Sequence, residues 1–268
     1  MTDKLNTMKT VTSKDGTKIA CDQTGSGPSV VLVDGALCSR NFGPLPSLAK
    51  LLEPHFTVFN YDRRGRNESG DTHPYAPERE IEDLAAIIEA AGGSAFVAGV
   101  SSGAALSLAG AAAGLNIKKL ALYEAPFRVD KTGHQPPKDS GDQLKKMIAE
   151  GRRGDAVKFF MKDMVNVPGF AVFIMSIMPI FKKLKAVAHT LPYDATIMGD
   201  FSLPVQKAGL VKVPTMVGGG EKSPASMQTA VKQTAAAIPG SELKMFPGQT
   251  HNISMKVLAP ALIDFFNK

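Results

Sequence analysis

Apolar and polar residues follow one another in blocks that predict strands and helices in turn. A continuous apolar run, typical of a central parallel strand, lies at residues 29–33, and further buried strands are predicted at residues 56–61, 94–98, 119–123, 214–217 and 241–246. Helical patterns fall between most of these runs, notably at residues 77–91, 104–113 and 224–237. Two further strand-like segments, residues 8–13 and 17–22, flank Asp15-Gly16 and predict an antiparallel hairpin at a sheet edge. The alternation predicts an α/β fold, a mostly parallel sheet with helices on both faces.

The alternation stops between about Phe127 and Gln206, where strand patterns give way to helix formers. We therefore expect a core domain of residues 1–126 and 207–268, with an inserted helical cap at residues 127–206. Within the cap, residues 156–164 fit one amphipathic helix, and residues 170–181 are apolar apart from Ser176. Twelve residues are too few to cross a bilayer. The apolar run and the lysines after it would also suit a helix on a membrane surface, but the pattern favours a cap helix facing a lipophilic pocket.

One short motif carries the chemistry. Gly99-Val100-Ser101-Ser102-Gly103 follows the predicted strand at residues 94–98 and opens the helix of small residues after it. This is the strand-turn-helix context in which a G-x-S-x-G serine becomes a nucleophile. The glycines are needed because the serine backbone is strained there and because side chains would collide with the neighbouring strand or helix. Ser101 is therefore the predicted nucleophile.

A serine nucleophile needs a base and an acid that orients it. His251 follows the last predicted strand, whereas the other histidines lie in the first connections or in the cap. Two carboxylates compete as the acid, since Glu124 and Glu221 each follow a predicted parallel strand. Both obey the chain order serine, acid, histidine. The spacing alone does not separate them.

The oxyanion that forms during acyl transfer needs two backbone N–H donors. One normally belongs to the residue after the nucleophile, here Ser102. The other is expected in the loop after the strand at residues 29–33, which reads Asp34-Gly35-Ala36, with Ala36 as the donor.

With these pieces in order, the chain resembles the α/β-hydrolase fold superfamily over nearly its whole length. Residues 61–69 look like the family's Y-D-x-R-G-x-G-x-S segment, to which we assign a structural role. Two positions depart from the family pattern. Asp34 stands where a histidine is common, and an acid there opposes a developing oxyanion unless it is paired or turned away. Ser223 occupies the usual acid position. This favours Glu124, because some family members carry their acid after the earlier strand.

The resemblance implies a serine hydrolase that cleaves an ester or related acyl compound with a lipophilic group through an acyl-serine intermediate. It implies neither a metal nor an organic cofactor. Dehalogenases and epoxide hydrolases of this fold use an aspartate at the elbow, which argues against those activities here. Carbon-carbon bond hydrolases, perhydrolases and acyltransferases share the same triad. A small-molecule-binding or signalling protein of this fold with weak residual hydrolysis is the alternative from another class.

The net charge and the number of cysteines limit which partners and which cellular compartment the sequence predicts. Among 268 residues, 31 basic and 25 acidic side chains give a net charge of +6, and the basic residues form no cluster suited to nucleic acid. The two cysteines are too few for a disulfide framework, and the polar start lacks a signal-peptide core. We expect a cytoplasmic protein with a small-molecule acyl substrate, no nucleic acid and no stable membrane insertion. No residue pattern specifies a homo-oligomer.

Overall fold

The computed structural model describes residues 7–130 and 132–268. Its strands form one eight-stranded sheet in the order β1-β2-β4-β3-β5-β6-β7-β8. The strands are β1 (Thr7–Thr12), β2 (Lys18–Gly25), β3 (Ser29–Val33), β4 (Thr57–Tyr61), β5 (Ala95–Val100), β6 (Ile117–Tyr123), β7 (Thr215–Gly220) and β8 (Glu242–Phe246). β1 and β2 are antiparallel to their neighbours, and β4, β3, β5, β6, β7 and β8 run parallel to one another. The predicted edge hairpin and mostly parallel sheet are confirmed.

Helices cover both faces of this sheet. The core helices are α1 (Leu45–Leu52), α2 (Pro77–Ala90), α3 (Ser102–Ala112), α10 (Ala225–Ala237) and α11 (Met255–Asn267). Successive residues of a strand point to opposite faces, so Val31 and Val33 of β3 pack with α2, α3 and α10, whereas Val30 and Leu32 pack with α1 and α11. The continuous apolar runs in the sequence arise because both faces of each central strand are buried.

The connection from β6 to β7, which we call the helical insertion (residues 124–214), has a separate hydrophobic cluster. Its helices are α4 (Ser140–Ala149), α5 (Arg153–Phe159), α6 (Gly169–Ile177), α7 (Ile180–Val187), α8 (Leu191–Met198) and α9 (Val205–Ala208). Leu144, Val157 and Leu184 from three of these helices pack with Leu37, which belongs to the loop after β3. The insertion therefore packs directly onto a core loop.

One local prediction for the insertion is wrong. Residues 156–164 do lie in one uninterrupted helical stretch, in which α5 ends at Phe159 and a π-helical turn, Phe160–Met164, follows it. The apolar run at residues 170–181 is split, because Met178 is extended and Pro179 comes directly after it. A residue before proline is disfavoured in the α conformation. The break therefore separates α6 from α7.

The apolar run also does not face inward as expected. Val172 is the one residue of α6 that is buried, and Phe170 and Phe173 lie largely in solvent. Among the described residues, no helix combines the length and apolar character needed to cross a membrane.

Candidate active site

Ser101 sits in the sharp turn between β5 and α3, with φ 55° and ψ −129°. Glycines on both sides make this turn sterically feasible. A Cβ at Gly99 would lie 2.5 Å from the Ser107 hydroxyl oxygen, and one at Gly103 would lie 2.3 Å from the carbonyl oxygen of Val33. Positive φ is strained for a non-glycine residue. The turn therefore places a strained, partly exposed serine at the carboxyl end of β5.

Glu124 lies directly after β6, the strand next to β5, and is buried. Its Oε1 accepts hydrogen bonds from the backbone N–H of Gly220 at 2.7 Å and from the Ser223 hydroxyl at 2.6 Å. Its Oε2 lies 2.9 Å from Nδ1 of His251. Both oxygens of the carboxylate are thus engaged, and its orientation is fixed by β7 and the loop after it.

Glu221, the competing acid, lies one strand further along at the end of β7 and is exposed. Its backbone N–H donates to the carbonyl of Phe246, and its own carbonyl accepts from Gln228. The structure thus brings His251 to Glu124 and leaves Glu221 outside this pair. Ser223, at the position where the resemblance places the acid, donates a hydrogen bond to the Glu124 carboxylate.

His251 is held on the loop between β8 and α11. The Tyr123 hydroxyl donates to the carbonyl oxygen of Thr250 at 2.6 Å, which anchors the residue next to the imidazole. Since Nδ1 faces Glu124, the Nε2 atom is left for a second partner. Within the described part of the chain, the hydrogen bonds do not include one between His251 and the Ser101 hydroxyl. Such bonds often tighten only when substrate is present.

The loop after β3 lies against the serine turn. A Cβ at Gly35 would be 3.0 Å from Cβ of Ser101, so glycine is what permits this approach. The backbone N–H groups of Ala36 and Ser102 donate to no acceptor among residues 7–130 and 132–268. Arg66 fixes the loop from behind, because it donates to the carbonyl oxygens of Gly35 at 2.6 Å and of Cys38 at 3.0 Å.

A buried carboxylate from the insertion joins these parts. Asp194 of α8 accepts from Arg63 at 2.7 Å, from Arg66 at 2.9 Å and from the Ser102 hydroxyl at 2.7 Å. The Arg63 guanidinium also forms a bidentate pair with buried Glu80. Burial alone would raise the pKa of Asp194, but the two guanidinium groups lower it below its usual value. The carboxylate is therefore held ionised.

Asp34, the residue that departs from the family pattern, is buried at the start of the same loop. Its Oδ1 accepts the backbone N–H of Gly35 at 3.1 Å, and its Oδ2 accepts from no nitrogen or oxygen donor among the described residues and has the Cys38 thiol as its polar neighbour. Burial raises its pKa to about 7, against the opposing effect of Arg66. Asp34 is thus neutral in mildly acidic solution and becomes charged near neutrality.

Several of these contacts have no counterpart in the sequence pattern. The arginines at residues 63, 64 and 66 are all buried in ion pairs, which gives a concrete form to the structural role expected for their segment. Three arginines within four residues, directly after a predicted buried strand, are a signal that could have indicated buried partners. Asp194 carries no such signal, because it lies 131 residues from Arg63 in a helix with no motif.

The comparisons with known proteins agree with this fold. A model of the alpha/beta hydrolase family matches residues 26–260. An alpha/beta hydrolase from Sphaerobacter thermophilus DSM 20745 is 51% identical, with a TM-score of 0.91 over 96% of this chain and all of that one.

Two more distant structures share the fold. An esterase from Thermogutta terrifontis is 19% identical, with a TM-score of 0.70 over 97% of this chain and 98% of that one. The enol-lactonase from Burkholderia xenovorans LB400 is 20% identical, with a TM-score of 0.68 over 97% of this chain and 100% of that one. The family match and the half-identical relative, together with the sheet and the serine turn, show that this chain belongs to the alpha/beta hydrolase family.

Proposed function

We propose that this chain is a serine hydrolase that cleaves an ester or related acyl compound with a lipophilic group. The observation that carries the proposal is the hydrogen bond between Glu124 and His251. It lies at the carboxyl ends of the parallel strands, where Ser101 occupies its strained turn. In this arrangement Glu124 orients the imidazole and stabilises its protonated form. Tyr123 supports the same geometry through the backbone of Thr250.

The reaction follows from these roles. Nε2 of His251 takes the proton of the Ser101 hydroxyl while the serine oxygen attacks the carbonyl carbon of the substrate. The carbonyl oxygen becomes an oxyanion, which the backbone N–H groups of Ala36 and Ser102 stabilise. Collapse of this intermediate expels the alkoxide, which takes the proton from His251 and leaves an acyl-serine. Water repeats the sequence, with His251 again as the base, and releases the acid.

The preference for a lipophilic substrate rests on the residues that surround the oxyanion loop. Ala36, Leu37 and Phe42 belong to the same hydrophobic cluster as Met161 of the insertion. The insertion in this proposal is a cap that covers the acyl group with apolar side chains. Burial of each additional methylene contributes about 0.8 kcal/mol, so a longer acyl chain is favoured until the space is filled.

The experiment is turnover of p-nitrophenyl esters from acetate to decanoate by the wild type and by Ser101→Ala. We expect wild-type turnover that rises from acetate to medium chain lengths and is abolished in the variant. Ser47→Ala is the matched control, because Ser47 is an exposed serine on α1. A flat chain-length profile would contradict the lipophilic pocket.

Labelling by a fluorophosphonate separates the remaining outcomes. Labelling at Ser101 without ester turnover would keep the nucleophile but require a different acyl substrate. Neither labelling nor turnover would overturn the proposal and favour a ligand-binding protein.

A further inference from the structure

The outer face of α6 has an apolar surface for which the hydrolase chemistry gives no reason. Phe170, Phe173, Ile174 and Ile177, which we call the α6 stripe, expose between 51% and 72% of their surface. Their spacing of three, four and seven residues places them on one side of the helix. Val172, on the opposite side, is the residue that packs inward. The helix thus presents to solvent the kind of face that globular proteins normally bury.

The exposed surface continues beyond the helix. Met178, after α6, and Ile180, the first residue of α7, are 50% and 39% exposed, and Val165, which precedes α6 in the chain, is 48% exposed. Contiguous exposed apolar patches of this kind mark interaction sites rather than ordinary surface. With nine residues, α6 is about 14 Å long, too short to cross a bilayer. Its length suits a helix that lies in the plane of an interface.

The charge next to the stripe identifies the partner. Lys182, Lys183 and Lys185 of α7 are all exposed, and residues 164–189 include no aspartate or glutamate. The charged side chains of this stretch are therefore all basic, and they follow the apolar face of α6 in the chain. Its complement is a surface that is apolar in its interior and negatively charged at its border, which describes a bilayer with anionic headgroups.

A second copy of this chain fits less well. A two-fold interface through the α6 stripe would bring the lysine clusters of both copies to the same contact, and residues 164–189 contribute no acidic side chain to pair with them. Lysine is depleted at protein interfaces. Like charges facing each other oppose association.

We propose that the α6 stripe inserts into the headgroup region of an anionic phospholipid surface while the lysines of α7 contact the headgroups. Binding is peripheral and reversible, because one short helix and three lysines supply it. The proposal concerns the solvent-facing side of α6, whose residues take no part in the reaction proposed above, so it does not depend on the hydrolase reaction. A soluble ester remains a substrate whether or not the protein is on a membrane.

The test is cosedimentation with vesicles of phosphatidylcholine alone and of phosphatidylcholine mixed with one third phosphatidylserine. We expect the wild type to bind the mixed vesicles, with binding that weakens as salt is added. Phe170→Ser with Ile177→Ser should lower the partition coefficient ~10-fold or more. Lys182→Gln with Lys185→Gln should lower it ~10-fold and reduce its salt dependence.

Matched controls come from exposed residues elsewhere on the chain. Leu210 is 58% exposed, and Lys232 and Lys256 are exposed lysines on α10 and α11. Leu210→Ser, and Lys232→Gln with Lys256→Gln, should bind as the wild type does. Turnover of a soluble ester, or the melting temperature if no ester is turned over, verifies that each variant is folded.

Three results would overturn the proposal. The first is a wild type that does not bind the mixed vesicles, and the second is equal binding to both vesicle types. The third is a dimer in sedimentation analysis without lipid that the Phe170→Ser and Ile177→Ser substitutions convert to a monomer, which would make a second copy the occupant.

Discussion

Replacing Asp34 by asparagine should change how the stability of this protein depends on pH. Asparagine keeps the size of the side chain and an oxygen that can accept the backbone N–H of Gly35, but it has no proton to lose. In the wild type, burial raises the pKa of Asp34 to about 7. In the unfolded chain the same carboxyl titrates near its ordinary value of ~3.9. The folded protein therefore holds a proton that the unfolded chain releases.

The size and sign follow from this difference. Between these two pKa values the folded state binds more protons than the unfolded state, so the free energy of unfolding falls as the pH rises. A difference of about three pH units at ~1.4 kcal/mol each amounts to about 4 kcal/mol. The contribution of the neutral carboxyl is intact below pH ~4 and is lost by the time the pH passes ~7. For a chain of this length, about 4 kcal/mol corresponds to a shift of roughly 10 °C in melting temperature.

Thermal unfolding of the wild type and Asp34→Asn, followed by circular dichroism from pH 4 to pH 8, measures this directly. The two melting temperatures should be similar at the acidic end, and the variant should become progressively more stable than the wild type towards pH 8. Other carboxyls titrate in both proteins, so the difference between the curves is the quantity of interest. Asp264→Asn, at an exposed position on α11, serves as the control. A difference that stays constant with pH would refute the argument.

Three further substitutions test the parts around the serine by steady-state ester hydrolysis. Glu124→Gln should lower kcat by up to ~10⁴-fold, because it removes the charge that orients His251. Glu221→Gln should leave kcat within a few-fold of the wild type. The reverse ranking would assign the acid to Glu221. Asp194→Asn should leave two buried guanidinium groups undercompensated and cost about 3–5 kcal/mol in urea unfolding, and unchanged stability would contradict the buried network. Tyr123→Phe should lower kcat several-fold with little change in KM, because its hydroxyl fixes the histidine loop, and a change confined to KM would argue against that role.

The sheet could be predicted from the sequence because its signals are local. Each central strand is a short apolar run buried on both faces, and Gly99 and Gly103 mark a turn in which larger side chains do not fit. The resemblance to a known family completed the prediction that Ser101 is the nucleophile. The strands and the serine turn are each specified by residues that are close together in the sequence.

The ambiguity between Glu124 and Glu221 has a different origin. Both residues follow parallel strands, so their positions in the sequence are equivalent. What separates them in the structure is burial and the donors on β7 and its loop, Gly220 and Ser223, which lie about a hundred residues from Glu124. Pairing over such a distance leaves no periodic pattern in the sequence.

The direction in which α6 presents its apolar residues could not be predicted from the sequence pattern either. Apolar residues spaced by three, four and seven positions place a stripe on one side of a helix, but the spacing is the same whether the stripe faces a core or the solvent. Tertiary packing decides between them, and here it buries Val172 instead.

The position of Asp194 on α8 bears on any exchange of this insertion for that of another hydrolase. In this chain a graft lacking a carboxylate at that point would remove the ion-pair partner of Arg66 and leave Arg63 paired with Glu80 alone, next to the loop that contains Ala36. Repulsion between the two arginines would act on the core rather than on the graft. An exchange of insertions would therefore have to carry Asp194 with it or replace both arginines.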